Sequence, residues 1–114
     1  MLLGQTVMAP TAGATYYGPW MPRRGNGFLA VLQVFLASST SNTYTVKVEV
    51  QTKNAEDVDP TTALTGSITV NDVGVEEALF SGCLELVRYK YTLTGVSLDR
   101  WVHLRMNPPI WQPN

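Results

Sequence analysis

Residues 43–52, Thr43-Tyr-Thr-Val-Lys-Val-Glu-Val-Gln-Thr52, alternate apolar and polar side chains without a break. Tyr44, Val46, Val48 and Val50 share one face, and Thr45, Lys47, Glu49 and Gln51 share the other, which is the pattern of a half-buried β-strand. A helix would scatter these residues around its surface, because its side chains repeat about every 3.6 positions rather than every second one. The chain must therefore build a sheet, and its architecture depends on what can pair with this strand.

Phe28 to Ala37 is apolar apart from Gln33. Periodicity alone fits either a buried strand or a short buried helix, but the valines, the length and the flanking Gly and Ser favour a strand. Ser38-Ser-Thr-Ser-Asn42 then offers a polar connection, so residues 28–52 read as an antiparallel hairpin. Residues 53–62, with Asn54, Asp57, Asp59 and Pro60, read as a surface loop. Short strands are expected at Gly66 to Val70 and near Glu77 to Phe80. A longer one is expected at Cys83 to Thr94, where Val87, Tyr89, Tyr91 and Leu93 oppose Arg88, Lys90 and Thr92. The apolar parity changes across Leu84 to Val87, which suggests a β-bulge near Leu86. After a turn at Gly95 to Asp99, Arg100 to Met106 reads as a strand with Val102, Leu104 and Met106 facing the core.

The two ends differ from this middle. Residues 1–27 are rich in Gly, Pro, Thr and aromatics, and read as an extended arm with one short strand near Ala14 to Tyr17. Residues 107–114 read as a proline-stiffened tail that does not join a central strand. With no convincing helix and with regular turn signals, the expected fold is all-β: one antiparallel β-sandwich over residues 28–106, with a jelly-roll-like arrangement as one form it can take.

Size and charge narrow the function. The 114 residues fit one domain with a real core, and 45% are hydrophobic. Eight Lys and Arg stand against nine Asp and Glu, for a formal charge of −1. Such a chain projects no field to gather nucleic acid or an anionic membrane, so neither is expected as a partner. Cys83 is the single cysteine, which excludes an internal disulfide and fits folding in a reducing cytoplasm. The opening residues lack the basic and apolar regions of a signal peptide, and no apolar run has the length of a membrane span, so neither export nor anchoring is expected.

Catalytic and metal chemistry find little support. His103 is the lone histidine and has no partner at a recognisable spacing, so it reads as structural or as a surface group. Cys83, after Ser81-Gly82, reads as a small buried hydrophobe rather than a nucleophile. Asn54, Glu56, Asp57 and Asp59 offer oxygen ligands of the kind calcium takes, but without the glycine and closing glutamate of an EF-hand loop they read as a solvated turn. Asn71 to Glu77 reads as a further turn with a polar edge. No catalytic residue, metal site or cofactor is assigned.

The aromatics carry more. Tyr16, Tyr17 and Trp20 lie in the arm and Trp111 in the tail, outside the regular strands, where they can fold back over an end of the sandwich or anchor the chain in a neighbour. Arg23 and Arg24 beside them can grip carboxylates through bidentate pairing. These six are the candidate partner-binding residues. Stacking of the same rings on sugars, as in a carbohydrate-binding module, is the alternative.

Four segments, Tyr16 to Arg23, Glu49 to Asp57, Ser81 to Tyr91 and Trp101 to Met106, together resemble small structural proteins of tailed bacteriophages. The likeness spans most of the chain and carries no functional-residue signature. It implies an all-β capsid decoration or minor head protein without catalytic activity, present in many copies and bound to the major capsid protein or other virion subunits. It also implies assembly in the host cytoplasm and a final place in the virion, with a fibre or tail position as a variant of the same reading.

Overall fold

The computed structural model describes residues 4–8, 14–37, 45–58, 62–64, 66–70, 73–94 and 102–112. Its strands are, in chain order, β1 (Gly4–Met8), β2 (Ala14–Tyr17), β3 (Met21–Pro22), β4 (Gly27–Ala37), β5 (Thr45–Lys53) and β6 (Thr62–Ala63). They continue with β7 (Ile68–Val70), β8 (Gly74–Ser81), β9 (Leu86–Thr94), β10 (Val102–Met106) and β11 (Ile110–Gln112). Among the described residues there is no helix, and so none long and apolar enough to cross a membrane.

Two antiparallel sheets pack face to face. The first holds β1, β10, β11, β4 and β8, and the second holds β2, β3, β9, β5, β6 and β7. Register shows that short strands line up end to end. On β4, β8 pairs with Gly27 to Val34, overlapping the residues that face β10 (Leu32 to Ala37) and β11 (Gly27 to Leu29). A strand has two edges, so β10 and β11 share the edge opposite β8. By the same logic β2 and β3 share one edge of β9, and β6 and β7 share one edge of β5.

The eleven strands thus form eight rows, and the rows pair in a nested order. Row one (β1) pairs with row eight (β10 and β11), and row two (β2 and β3) with row seven (β9). Row three (β4) pairs with row six (β8), and row four (β5) with row five (β6 and β7). Two further ladders, β4 with β10 and β11 and β5 with β9, join these pairs into the two sheets.

Alternation explains the core. Val46, Val48 and Val50 of β5 and Val87, Tyr89, Tyr91 and Leu93 of β9 are buried against Phe28, Ala30, Leu32 and Val34 of β4, Leu104 and Met106 of β10, and Phe80 of β8. Rings pack within and between the layers: Phe28 lies 5.6 Å from Phe80 of its own sheet and 6.1 Å from Tyr89 of the other, centroid to centroid. Apart from the buried tyrosines, Thr52 is the one polar residue in this interior among the described residues. Its hydroxyl donates to the Leu86 carbonyl and accepts from the Leu84 amide, each at 2.8 Å.

Several expectations need correction. Residues 28–52 are not a hairpin: β4 and β5 lie in different sheets, because both edges of β4 are taken by β8 and by β10 and β11, so its apolar face meets β5 across the core. The expected arm instead supplies β1 to the first sheet and β2 and β3 to the second, with β2 matching the anticipated strand at Ala14 to Tyr17. Residues 18–20 interrupt this edge where Pro19 has no N–H, while Gly18 N donates to Tyr89 O and Arg23 N to Glu85 O, each at 2.9 Å. The tail also joins the sheet. Asn107 N donates to Val31 O at 3.0 Å, Pro108 and Pro109 step past the ladder, and β11 then pairs with Gly27 to Leu29.

The third long strand begins at Leu86, not Cys83, and its register against β5 is unbroken from Leu86 to Thr94. The parity change marks the end of the strand. Gly82 there has φ of 82°, which a side chain would strain, and its N–H and that of Cys83 both donate to Asn26 O. The register shift lies in β4 instead: His103 faces Leu36 and Leu104 faces Val34, so Phe35 is the extra residue of a bulge. The turn at 95–99 and the connection at 38–42 lie outside the described residues.

Candidate functional site

Of the six residues singled out from sequence, Tyr16, Tyr17 and Trp111 lie in strands and separate by strand parity, while Trp20, Arg23 and Arg24 lie between strands. Tyr16 faces Tyr91 across the β2–β9 ladder and packs against the core, while Tyr17 faces Lys90 on the outer surface and is 43% exposed. Trp111 also turns inward, with its ring 5.0 Å from that of Phe28. Arg23 holds the turn before β9, its Nη1 donating to Cys83 O at 2.8 Å. Arg24 is exposed. Only Tyr17 and Trp20 meet each other's surroundings on the outside.

There they share a cation. The Arg88 guanidinium carbon lies 4.2 Å from the Tyr17 ring centroid and 4.4 Å from that of Trp20. Its Nε donates to Gln51 Oε1 at 2.9 Å, across the β5–β9 ladder. Lys53 Nζ stands 4.8 Å from the Trp20 centroid and donates to Asp57 O at 3.0 Å. Among the described residues, two rings and one amide engage the guanidinium by its carbon and its Nε, and no hydrogen bond is made by its two terminal nitrogens; such fixing lowers the entropy lost on pairing with a planar carboxylate. The outward residues of β5 and β9 include four cations, Lys47, Lys53, Arg88 and Lys90, against the single carboxylate of Glu49. Glu49 is engaged, at 4.0 Å from Lys47 and opposite Lys90.

The first sheet presents a different outer surface. Along β8, Val75, Glu77 and Leu79 alternate outward, with Val75 58% and Leu79 61% exposed. They face Gln33, Val31 and Leu29 of β4, and Ile110 of β11 extends the apolar stripe beyond Leu29. Nearer β10, the bulged Phe35 lies 5.3 Å from the His103 ring and 5.4 Å from the Arg105 guanidinium, whose Nη2 donates to Gln33 Oε1 at 3.1 Å.

Elsewhere, Cys83 and the acidic segment are engaged within the fold. Cys83 is buried, and burial pushes its thiol up, against the opposing pull of Arg23 and a backbone hydrogen bond. A raised thiol is a poor nucleophile at neutral pH. The acidic segment closes on itself as a turn: Asn54 N donates to Asp57 Oδ2 and Asp57 N to Asn54 O, each at 3.0 Å, and Ala55 N reaches Glu85 Oε1. Among the described residues no three His, Cys, Asp or Glu side chains gather where they could hold a metal ion. Asp59 lies outside the described residues.

Sequence reasoning passed over Arg88, Gln51 and Lys53 because each sits on the polar face of an ordinary strand. The signal was the opposition of Arg88 and Lys90 to the aromatic-bearing segment around Tyr17, which only the pairing of β2 with β9 reveals. No family model, curated protein or solved structure matches this chain.

Proposed function

We propose that this chain is a non-enzymatic virion structural protein, a capsid decoration or minor head component, built as a jelly roll. The observation that carries the reading is the nested pairing of rows one with eight, two with seven, three with six and four with five. An antiparallel ribbon rolled in that way gives the double-sheet jelly roll, an architecture that recurs in viral capsid and lectin domains. Both outer faces carry large groups suited to packing against neighbours: Val75, Leu79 and Ile110 on one sheet, and Tyr17 and Trp20 on the other. In a shell of many copies, weak contacts of this kind act together and hold each subunit by raised effective concentration. The partners are the major capsid protein or other virion subunits, and assembly takes place in the host cytoplasm.

The carbohydrate-binding alternative needs free ring faces. It is the weaker reading because Arg88 and Lys53 already lie within cation–π distance of Trp20, and Tyr16 and Trp111 pack against the core. Removing residues 1–24 would not test an aromatic tether, since it takes β1, β2 and β3 out of both sheets. The direct test is quantitative mass spectrometry of virus particles purified from cells expressing the encoding genome. Many copies per particle are expected. Absence from the particle overturns the virion reading.

A further inference from the structure

We propose that the arginine–aromatic cluster on the second sheet receives the β8 strand of a second copy of this chain, with Glu77 pairing with Arg88. The inference deepens the multicopy virion reading and rests on it. Two surfaces of the same molecule carry matching patterns. On one, the Arg88 guanidinium is flanked by the rings of Tyr17 and Trp20 at 4.2 and 4.4 Å. On the other, the exposed Glu77 carboxylate is flanked along the strand by Val75 and Leu79, both more than half exposed.

The fit is one of charge and of polarity together. Among the described residues, Arg88 has no carboxylate partner and Glu77 no cation, so neither charge is compensated within that set. The wider field of the second sheet agrees, because its outward residues on β5 and β9 hold Lys47, Lys53, Arg88 and Lys90 against Glu49 alone. Apolar side chains on either side of the carboxylate would cover the two rings and exclude water from the ion pair, which is the arrangement that makes an interfacial arginine an anchor. The two surfaces lie on different sheets, so one molecule cannot satisfy itself. The contact is therefore heterologous and propagates to a ring or a lattice, as a multicopy shell component requires.

Pairing of β8 with β8 of a second copy is disfavoured by the same residues in one register. In the register where Glu76 of one copy opposes Glu77 of the other, a dyad between two β8 edges sets like charges against each other, and these repel. On the outward face of the second sheet four cations stand against the one carboxylate of Glu49, which is itself opposite Lys90.

The experiment is sedimentation velocity across a concentration series on the intact chain, its Arg88→Glu and Glu77→Arg variants, and the doubly reversed chain, with thermal melts to show that all four are folded. Reversible association is expected for the original chain, with affinity lowered about ten-fold or more in each single variant and recovered in the double variant. An original chain that stays monomeric at every concentration overturns the contact, as does a double variant no better than either single one. A monomer found in many copies in particles would remove this contact and leave the virion reading intact. An associating chain absent from particles would do the reverse.

Discussion

Thr52 and Leu86 are joined across the second sheet by a part-buried hydrogen bond of 2.8 Å, the threonine hydroxyl donating to the leucine carbonyl. The same oxygen accepts from the Leu84 amide, so one side chain satisfies both backbone groups where β9 begins. Thr52→Val keeps the shape and strands both partners, which should lower stability by about 2 kcal/mol. Urea unfolding checks the value, and Thr52→Ser should recover most of the loss. A valine variant as stable as the original would show that the pair contributes nothing.

Tyr89 presents the opposite case. It is 1% exposed, its ring packs edge-on to Phe28, and its hydroxyl has no hydrogen-bond partner among the described residues. Desolvating an unpaired hydroxyl is unfavourable, so Tyr89→Phe should raise stability by about 1 kcal/mol. The midpoint of urea denaturation should move up with its slope unchanged. A fall of the midpoint would mean that the hydroxyl has a partner.

Stability should decline in alkali. Burial pushes the Tyr89 and Tyr91 phenols up from their ordinary value of 10.0, and the neighbouring Tyr91 adds to the effect at Tyr89. A folded-state pKa above the unfolded one means that the unfolded chain releases its proton first. The contribution of these groups is therefore complete below about pH 10 and is lost as pH rises above it, at up to about 1.4 kcal/mol per pH unit for each phenol. Unfolding free energies measured from pH 8 upward should turn down near pH 10, and Tyr91→Phe should make that fall shallower. A flat profile would show that the phenols titrate alike in both states.

Gly25 fastens the end of the chain. A Cβ there would run into the backbone carbonyl of Gln112, so only glycine allows the loop before β4 to approach β11. Gly25→Ala should displace β11 and cost about 1–3 kcal/mol. Amide hydrogen exchange reads the result locally. Ile110 to Gln112 should lose protection while β5 and β9 keep theirs, and unchanged protection would place the glycine outside the packing of β11.

How far these relationships could be read in advance depended on how local their causes are. The identity of β5 and β9 lies in adjacent residues, because Val46, Val48 and Val50, like Val87, Tyr89, Tyr91 and Leu93, alternate with polar neighbours. β4 hides its period, since Leu29, Val31 and Phe35 make its outer face apolar as well. β1, β2 and β3 hold two to five residues each among Gly and Pro, too few for a period to emerge, so they resemble an arm. The cluster at Arg88 was the least legible. Tyr17, Gln51 and Arg88 are separated by more than thirty positions and meet only because rows two and seven, and four and seven, are paired. Sheet membership was hidden for the same reason: the nested order is a property of remote pairs.

The exposed edge at β8 should depend on one charge. Among the described residues β8 pairs with β4 alone, over eight residues, and so presents an open ladder of the kind that recruits other strands. Its even positions point toward the core: Phe80 is buried and Ala78 packs against the interior, yet Glu76, opposite buried Leu32, is exposed. A carboxylate on the inward parity of an edge strand must reach water, and an incoming strand would desolvate it. Glu76→Val should leave thermal stability equal or slightly higher while raising the rate of irreversible aggregation. Light scattering during prolonged incubation below the melting temperature measures that rate. An unchanged rate would mean that the edge is guarded by something other than Glu76, and the twist of β8 would then be the next feature to alter.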